Sequence, residues 1–166
     1  MFRSFAIRDL SIFVGTIALW WASLVVDPGS SLASTLSIAA GVGAAICAFN
    51  LHEWGHLLGA HLTDSVYVPA KRLISPFLFA YDAERNSRRQ FLLMSLAGFA
   101  ATAAFVAGFL LWMPQDQAAG RIALRAGLTL AALTVIIEFP LFFRTLFGGA
   151  VPRTGLFKGP TVGGRD

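Results

Sequence analysis

Charge and cysteine are what this chain has least of. Only 13% of its 166 residues are Asp, Glu, Lys or Arg, against 56% hydrophobic, too few charges to coat a water-soluble globule of that length. The single cysteine, Cys47, sits inside an apolar block, which excludes an intrachain disulfide framework and a cysteine-based zinc knuckle. Heptad and Gly-X-Y periods are also missing, so coiled coil and collagen drop out, and disorder is incompatible with long apolar blocks. The 13 Lys and Arg outnumber the 9 Asp and Glu. They do not gather on one amphipathic face and no nucleic-acid-binding motif accompanies them, so no nucleic-acid partner is expected. The expected solvent is a lipid bilayer.

A hydrocarbon core about 30 Å thick takes roughly 20 helical residues to cross. Four stretches qualify: about residues 10–26, ending at the turn signal Asp27-Pro28-Gly29-Ser30; about 32–60; about 91–113, closing at Pro114; and about 122–147. The expected fold is therefore an all-α integral membrane protein with four transmembrane helices. Residues 1–150 would form one transmembrane domain and 151–166 a flexible cytoplasmic tail.

Placing the N-terminus in the cytoplasm puts Arg3, Arg8, Lys71, Arg72, Arg85, Arg88, Arg89, Arg144, Arg153, Lys158 and Arg165 on that side and leaves only Arg121 and Arg125 outside. The positive-inside rule thus predicts a multi-pass protein with both termini cytoplasmic. A bacterial-type inner membrane is the expected location. A competing reading takes residues 1–33 as a cleaved signal peptide, with Ser31-Leu32-Ala33 as a small-x-small site. The following orientation would be the same.

The connection over residues 61–90 is the one sizeable polar segment. Val66-Tyr67-Val68, interrupted by Pro69, and then Leu73-Ile74 and Phe77-Leu78-Phe79 read as one or two short strands, a possible β-hairpin at the membrane surface, or as an ordinary interfacial loop.

The chemistry concentrates in His52-Glu53-Trp54-Gly55-His56, an H-E-x-x-H motif in the last third of the second span. On a helix, positions i and i+4 share a face, so the two imidazoles can converge on one cation while Glu53, about 100° round from His52, reaches a water activated by it. Zinc held by neutral imidazoles lowers the pKa of water, and a carboxylate base completes a hydrolytic site. Chance juxtaposition, or a buried polar network between helices, is the alternative. Three ionisable groups at intramembrane depth are costly and by default functional.

Two histidines leave a tetrahedral site short of a third ligand. Glu138 is the only acidic residue in the other three spans, and six residues before Arg144 it should match the depth of His52 and His56. A salt bridge or packing hydrogen bond to Arg125, Thr102 or Thr134 is its other possible role. His61 is the rival ligand. The run His52 to His61 nearly fits H-E-x-x-H-x-x-G-x-x-H with Gly59 in place, but the third histidine would fall at Leu62. Asp64 and Glu84 are weaker alternatives still.

An H-E-x-G-H motif inside a membrane helix resembles the site-2 protease family of intramembrane zinc metalloproteases, over about residues 48–149. The resemblance implies a strand region after the motif, which residues 66–81 could supply, and then a helix bearing A-G-P-x-x-N. Ala97-Gly98-Phe99-Ala100-Ala101-Thr102 keeps the first two residues of that signature and puts Phe99 and Thr102 for its Pro and Asn. The family's aspartate ligand comes from an L-D-G signature. Leu146-Phe147-Gly148-Gly149 looks like that signature with Phe147 for the aspartate, so either Glu138 takes over coordination or the chain is a non-proteolytic relative.

In the protease reading an unwound segment of a membrane-spanning protein or peptide substrate would lie beside the metal, with an exposed strand edge satisfying its backbone by β-augmentation. Gly55 and Gly59 would either ease that approach or serve helix packing, and Trp20, Trp21 and Trp112 would be outer-leaflet anchors. The expected activity is an intramembrane zinc endopeptidase cutting near the cytoplasmic leaflet, with His52, His56 and Glu138 on zinc and Glu53 as general base. The alternatives are a catalytically silent relative that binds membrane helices, and a small metal or proton carrier. Oligomeric state is left open.

Overall fold

The computed structural model describes residues 2–152. The expected tail from residue 153 onward, with Arg153, Lys158 and Arg165, lies outside the described residues. The elements are α1 (Phe2–Val25), α2 (Ser31–Leu62), β1 (Tyr67–Pro69), β2 (Phe79–Tyr81), α3 (Arg88–Trp112) and α4 (Ala118–Leu146). All four helices are long and apolar enough to cross a membrane.

The helices outrun the apolar stretches because local capping sets their ends. Ser30 opens α2 by accepting a hydrogen bond from the Ala33 N–H at 3.1 Å. At the start of α3, Ser87 and Gln90 form a reciprocal capping box, so the helix begins at Arg88 ahead of its apolar run. α1 likewise begins ahead of its uncharged part, at Phe2. Pro140 is accommodated within α4.

Contacts along the helices give an up-down-up-down order around a central α2. Phe5 of α1 packs with Leu57 and Ala60 near the end of α2, and Thr16 meets Cys47 further back along it, so α1 and α2 are antiparallel. α4 runs parallel to α2, with Ile122 against Gly41 and Glu138 against His52. Glycines make the close approaches possible. A Cβ on Gly41 would stand 2.6 Å from Ile122 Cγ2 and 2.9 Å from the Ala119 carbonyl oxygen; one on Gly55 would stand 2.8 Å from both Ala101 Cβ and the Ala97 carbonyl oxygen. Gly59 meets Ala97 and Met94 likewise. Both glycines of the motif region therefore serve the α2–α3 contact.

The two strands pair antiparallel, Tyr67 opposite Tyr81 and Pro69 opposite Phe79. Pro69 ends β1 without interrupting it, and Leu73-Ile74 falls in the connecting loop instead of a strand. That loop folds back beside α2. Arg8 of α1 donates from one guanidinium nitrogen to the carbonyls of Leu73 and Ser75, both at 2.7 Å, and the Phe77 ring meets Phe49 with centroids 6.3 Å apart. The hairpin's tip consequently reaches the level of the His52 motif and does not lie beyond the helix ends. Leu78, Phe79 and Tyr81 pack with Phe5, Phe91 and Met94 as the main buried core.

The three tryptophans differ. Trp21 and Trp112 are exposed, whereas Trp20 is partly buried and donates to the Gln117 side chain at 3.0 Å, tying α1 to the start of α4.

Candidate metal centre

His52 and His56 are one turn apart on the buried face of α2, and Glu138 reaches them from α4. His52 Nε2 stands 3.1 Å from Glu138 Oε1, His56 Nε2 stands 3.2 Å from Glu138 Oε2, and the two Nε2 atoms are 2.9 Å apart. Three donor atoms bound at 2.0–2.1 Å around a tetrahedral ion stand roughly 3.4 Å from one another. Among the described residues this is the group of His, Cys, Asp and Glu side chains placed to hold a metal.

The far nitrogens of both rings are fixed by α3. His52 Nδ1 donates to the Gly98 carbonyl at 3.1 Å and lies 2.8 Å from the Thr102 hydroxyl; His56 Nδ1 donates to the Met94 carbonyl at 3.1 Å. A carbonyl can only accept, so the Nδ1 atoms carry protons, and in the tautomer that a metal would require each ring turns an Nε2 lone pair toward Glu138 and the other ring. Two such lone pairs and a carboxylate converging at this distance form a donor set that a bound cation would satisfy, as a proton shared between them also would. The donor set fits a divalent metal with imidazole and carboxylate ligands.

The tight seam between α2 and α3 is what brings these carbonyls within reach. A Cβ on Gly98 would collide with the His56 imidazole. Phe99, the residue standing for the family's proline, packs on Phe139 and Phe142 at 4.7 and 5.4 Å and seats α4 against α3 beside Glu138.

Glu53 is buried, 6% exposed. It lies within electrostatic range of His52, His56 and Glu138, and the backbone N–H of Leu78 is directed at its carboxylate. Neither Glu53 nor Glu138 is bonded to a Lys or Arg among the described residues. A divalent cation held by Glu138 and the two histidines would offset carboxylate charge in an apolar interior.

The rival ligands are elsewhere. His61, Asp64 and Glu84 are exposed beyond the motif. Phe147, in the place of the family's aspartate, is 83% exposed at the end of α4 and stacks on Phe143; nine residues past Glu138, it is about 13 Å further along the helix axis. Of the other partners considered for Glu138, Thr134 bonds the Leu130 carbonyl and Thr102 serves His52.

One polar cluster was not foreseen. Asp9 of α1 accepts from Arg8 Nε at 2.7 Å, from Asn50 Nδ2 at 3.0 Å and from Trp54 Nε1 at 2.8 Å. It braces the motif helix from the side opposite α3. Asp9 adjoins the first apolar span and Asn50 and Trp54 flank His52 and Glu53 on α2, but no spacing in the sequence pairs them.

No protein-family model, characterised protein or solved structure matches this chain.

Proposed function

We propose that the chain is a multi-pass membrane metalloprotein, an intramembrane zinc endopeptidase that hydrolyses a peptide bond of a membrane-spanning substrate near the cytoplasmic leaflet, with both termini cytoplasmic. The observation that carries this reading is the convergence of His52, His56 and Glu138 with both Nδ1 atoms anchored on α3 carbonyls. Zinc would supply the Lewis acidity that makes water nucleophilic at neutral pH and polarises an amide carbonyl.

The chain's own groups have separable tasks. His52 and His56 present neutral Nε2 donors because Gly98, Thr102 and Met94 hold their Nδ1 protons. Glu138 supplies the carboxylate ligand from α4. Glu53, on the same helix and turned from the ligand face, is the base that takes a proton from water and returns it to the leaving amine. The site-2 protease resemblance adds the substrate class, a transmembrane helix that must unwind locally before its amide can be attacked.

Elemental analysis of detergent-purified protein tests the reading, with wild type beside Glu138→Ala, His61→Ala and Glu53→Gln. One zinc per chain is expected in wild type, His61→Ala and Glu53→Gln, and close to none in Glu138→Ala. Cleavage of a reconstituted transmembrane peptide should cease in Glu53→Gln. A wild type that takes up no zinc when resupplied, or cleavage indifferent to Glu53→Gln, overturns the protease assignment and favours a silent helix-binding protein.

A further inference from the structure

The loop between β1 and β2 ends beside Glu53, with the Leu78 N–H directed at its carboxylate, and few hydrogen bonds within the hairpin hold the loop's middle in place. The ladder spans three residue pairs, continued by the Ala70 N–H donating to the Leu78 carbonyl at 2.9 Å. Between these ends the backbone is irregular, with a turn from Arg72 to Ser75 and a Ser75 side chain bonded to Phe77. Its tip is apolar and open, Ile74 being 90% and Leu73 50% exposed. The carbonyls of Leu73 and Ser75 are both met by one group, the Arg8 guanidinium. Arg8 is aimed by Asp9 and stacked over the Phe5 ring, 4.9 Å from its centroid. Asp9 is in turn held by Asn50 and Trp54 of the motif helix.

We infer that Arg8 and Asp9 form a latch that holds the 70–78 loop shut over Glu53, so that release of the guanidinium from Leu73 and Ser75 is the event that uncovers the site. The inference rests on the reading of Glu53 as the working carboxylate, but its physical content is separate. A fork of two charge-assisted bonds from α1 sets how often the loop opens. Beside the latch, a groove of about 780 Å³ runs between Leu73, Ile74 and Pro76 of the loop, Val42 and Phe49 of α2 and Leu130 of α4, leaving space into which the loop can move. Phe49 joins the groove to the metal centre, its ring 6.4 Å from that of His52. Glu53 follows Phe49 by one helical turn on α2, so loop opening would extend this groove toward it.

Amide hydrogen exchange on the full chain in detergent tests the latch. In Arg8→Ala, amides of residues 70–78 should exchange at least about tenfold faster, as expected when two hydrogen bonds to a charged group are lost, while amides of residues 52–60 keep their wild-type rates. Arg8→Lys keeps the charge and a single donor and should give an intermediate rate; it also decides the matter if Arg8→Ala does not fold. Unchanged loop exchange in both variants overturns the latch. So does acceleration shared equally by α1, α2 and the loop, which marks general loosening. A loop that responds in a protein unable to cleave any peptide would retain the latch and discard the protease.

Discussion

The two halves of the helix bundle are joined by different means. Toward the end of α1 and the start of α4, near the α2 N-terminus, the helices touch mainly through shape: Gly41 receives Ile122, Gly43 receives Thr16 and Gly127 receives Phe109. Toward the hairpin the glycine contacts of Gly55, Gly59 and Gly98 are joined by hydrogen bonds, in which Asp9, Asn50, His52, Trp54, His56, Thr102 and Glu138 connect all four helices. In an apolar solvent, close packing of small residues is enough to associate helices. Buried polar groups add geometric definition at a desolvation cost. They are densest in the hairpin half, which holds the candidate metal centre, and sparse in the other, where Thr16 meets Cys47 and Trp20 meets Gln117.

Substitutions should separate the halves. The largest effect belongs to Gly98→Ala, whose new methyl group would displace the His56 imidazole. Zinc affinity measured by chelator competition should fall by more than about a hundredfold, while alanine's better helix propensity keeps α3 folded. Affinity within a fewfold of wild type would show that His56 can bind from another rotamer. A smaller loss follows from Thr102→Val, which removes one neighbour of His52 Nδ1 and leaves the Gly98 carbonyl. About tenfold weaker zinc binding is expected, again by competition, and an unchanged value would assign the whole orientation of His52 to Gly98.

The complementary probe is Gly41→Ala in the half near the α2 N-terminus. Its Cβ would press on Ile122 and the Ala119 carbonyl, so unfolding in mixed detergent should show a loss of about 1–3 kcal/mol with zinc stoichiometry intact. A Gly41→Ala protein that keeps its stability and loses zinc would erase the distinction between the halves.

Much of this architecture could be read from the chain. Four apolar blocks give four helices because no other backbone arrangement without closed strands satisfies itself in lipid. The shared face of His52 and His56 follows from i, i+4 spacing, and the approach of Glu138 to them from matched depth along α4. The Asp9 cluster did not follow from any local pattern. A single carboxylate beside an apolar span looks like a helix-end charge until tertiary packing brings Asn50 and Trp54 to it. The inward fold of the 70–78 loop was hidden for a related reason, since its anchors are carbonyl oxygens, which every residue carries and which therefore leave no trace in composition.

The main-chain anchoring of the two histidines has a consequence for how the gene can drift. Because α3 fixes Nδ1 of each ring largely through the carbonyls of Met94 and Gly98, most of this support is encoded by helical geometry and not by residue identity. Positions such as Leu96, Ala100 and Ala103, which face away from α2 and are exposed, are free to exchange one apolar side chain for another. Selection on α3 should be narrow where it governs distance, at Gly98 and the small residues of the seam, and lax elsewhere. Two chains could thus share this centre while having few letters of α3 in common.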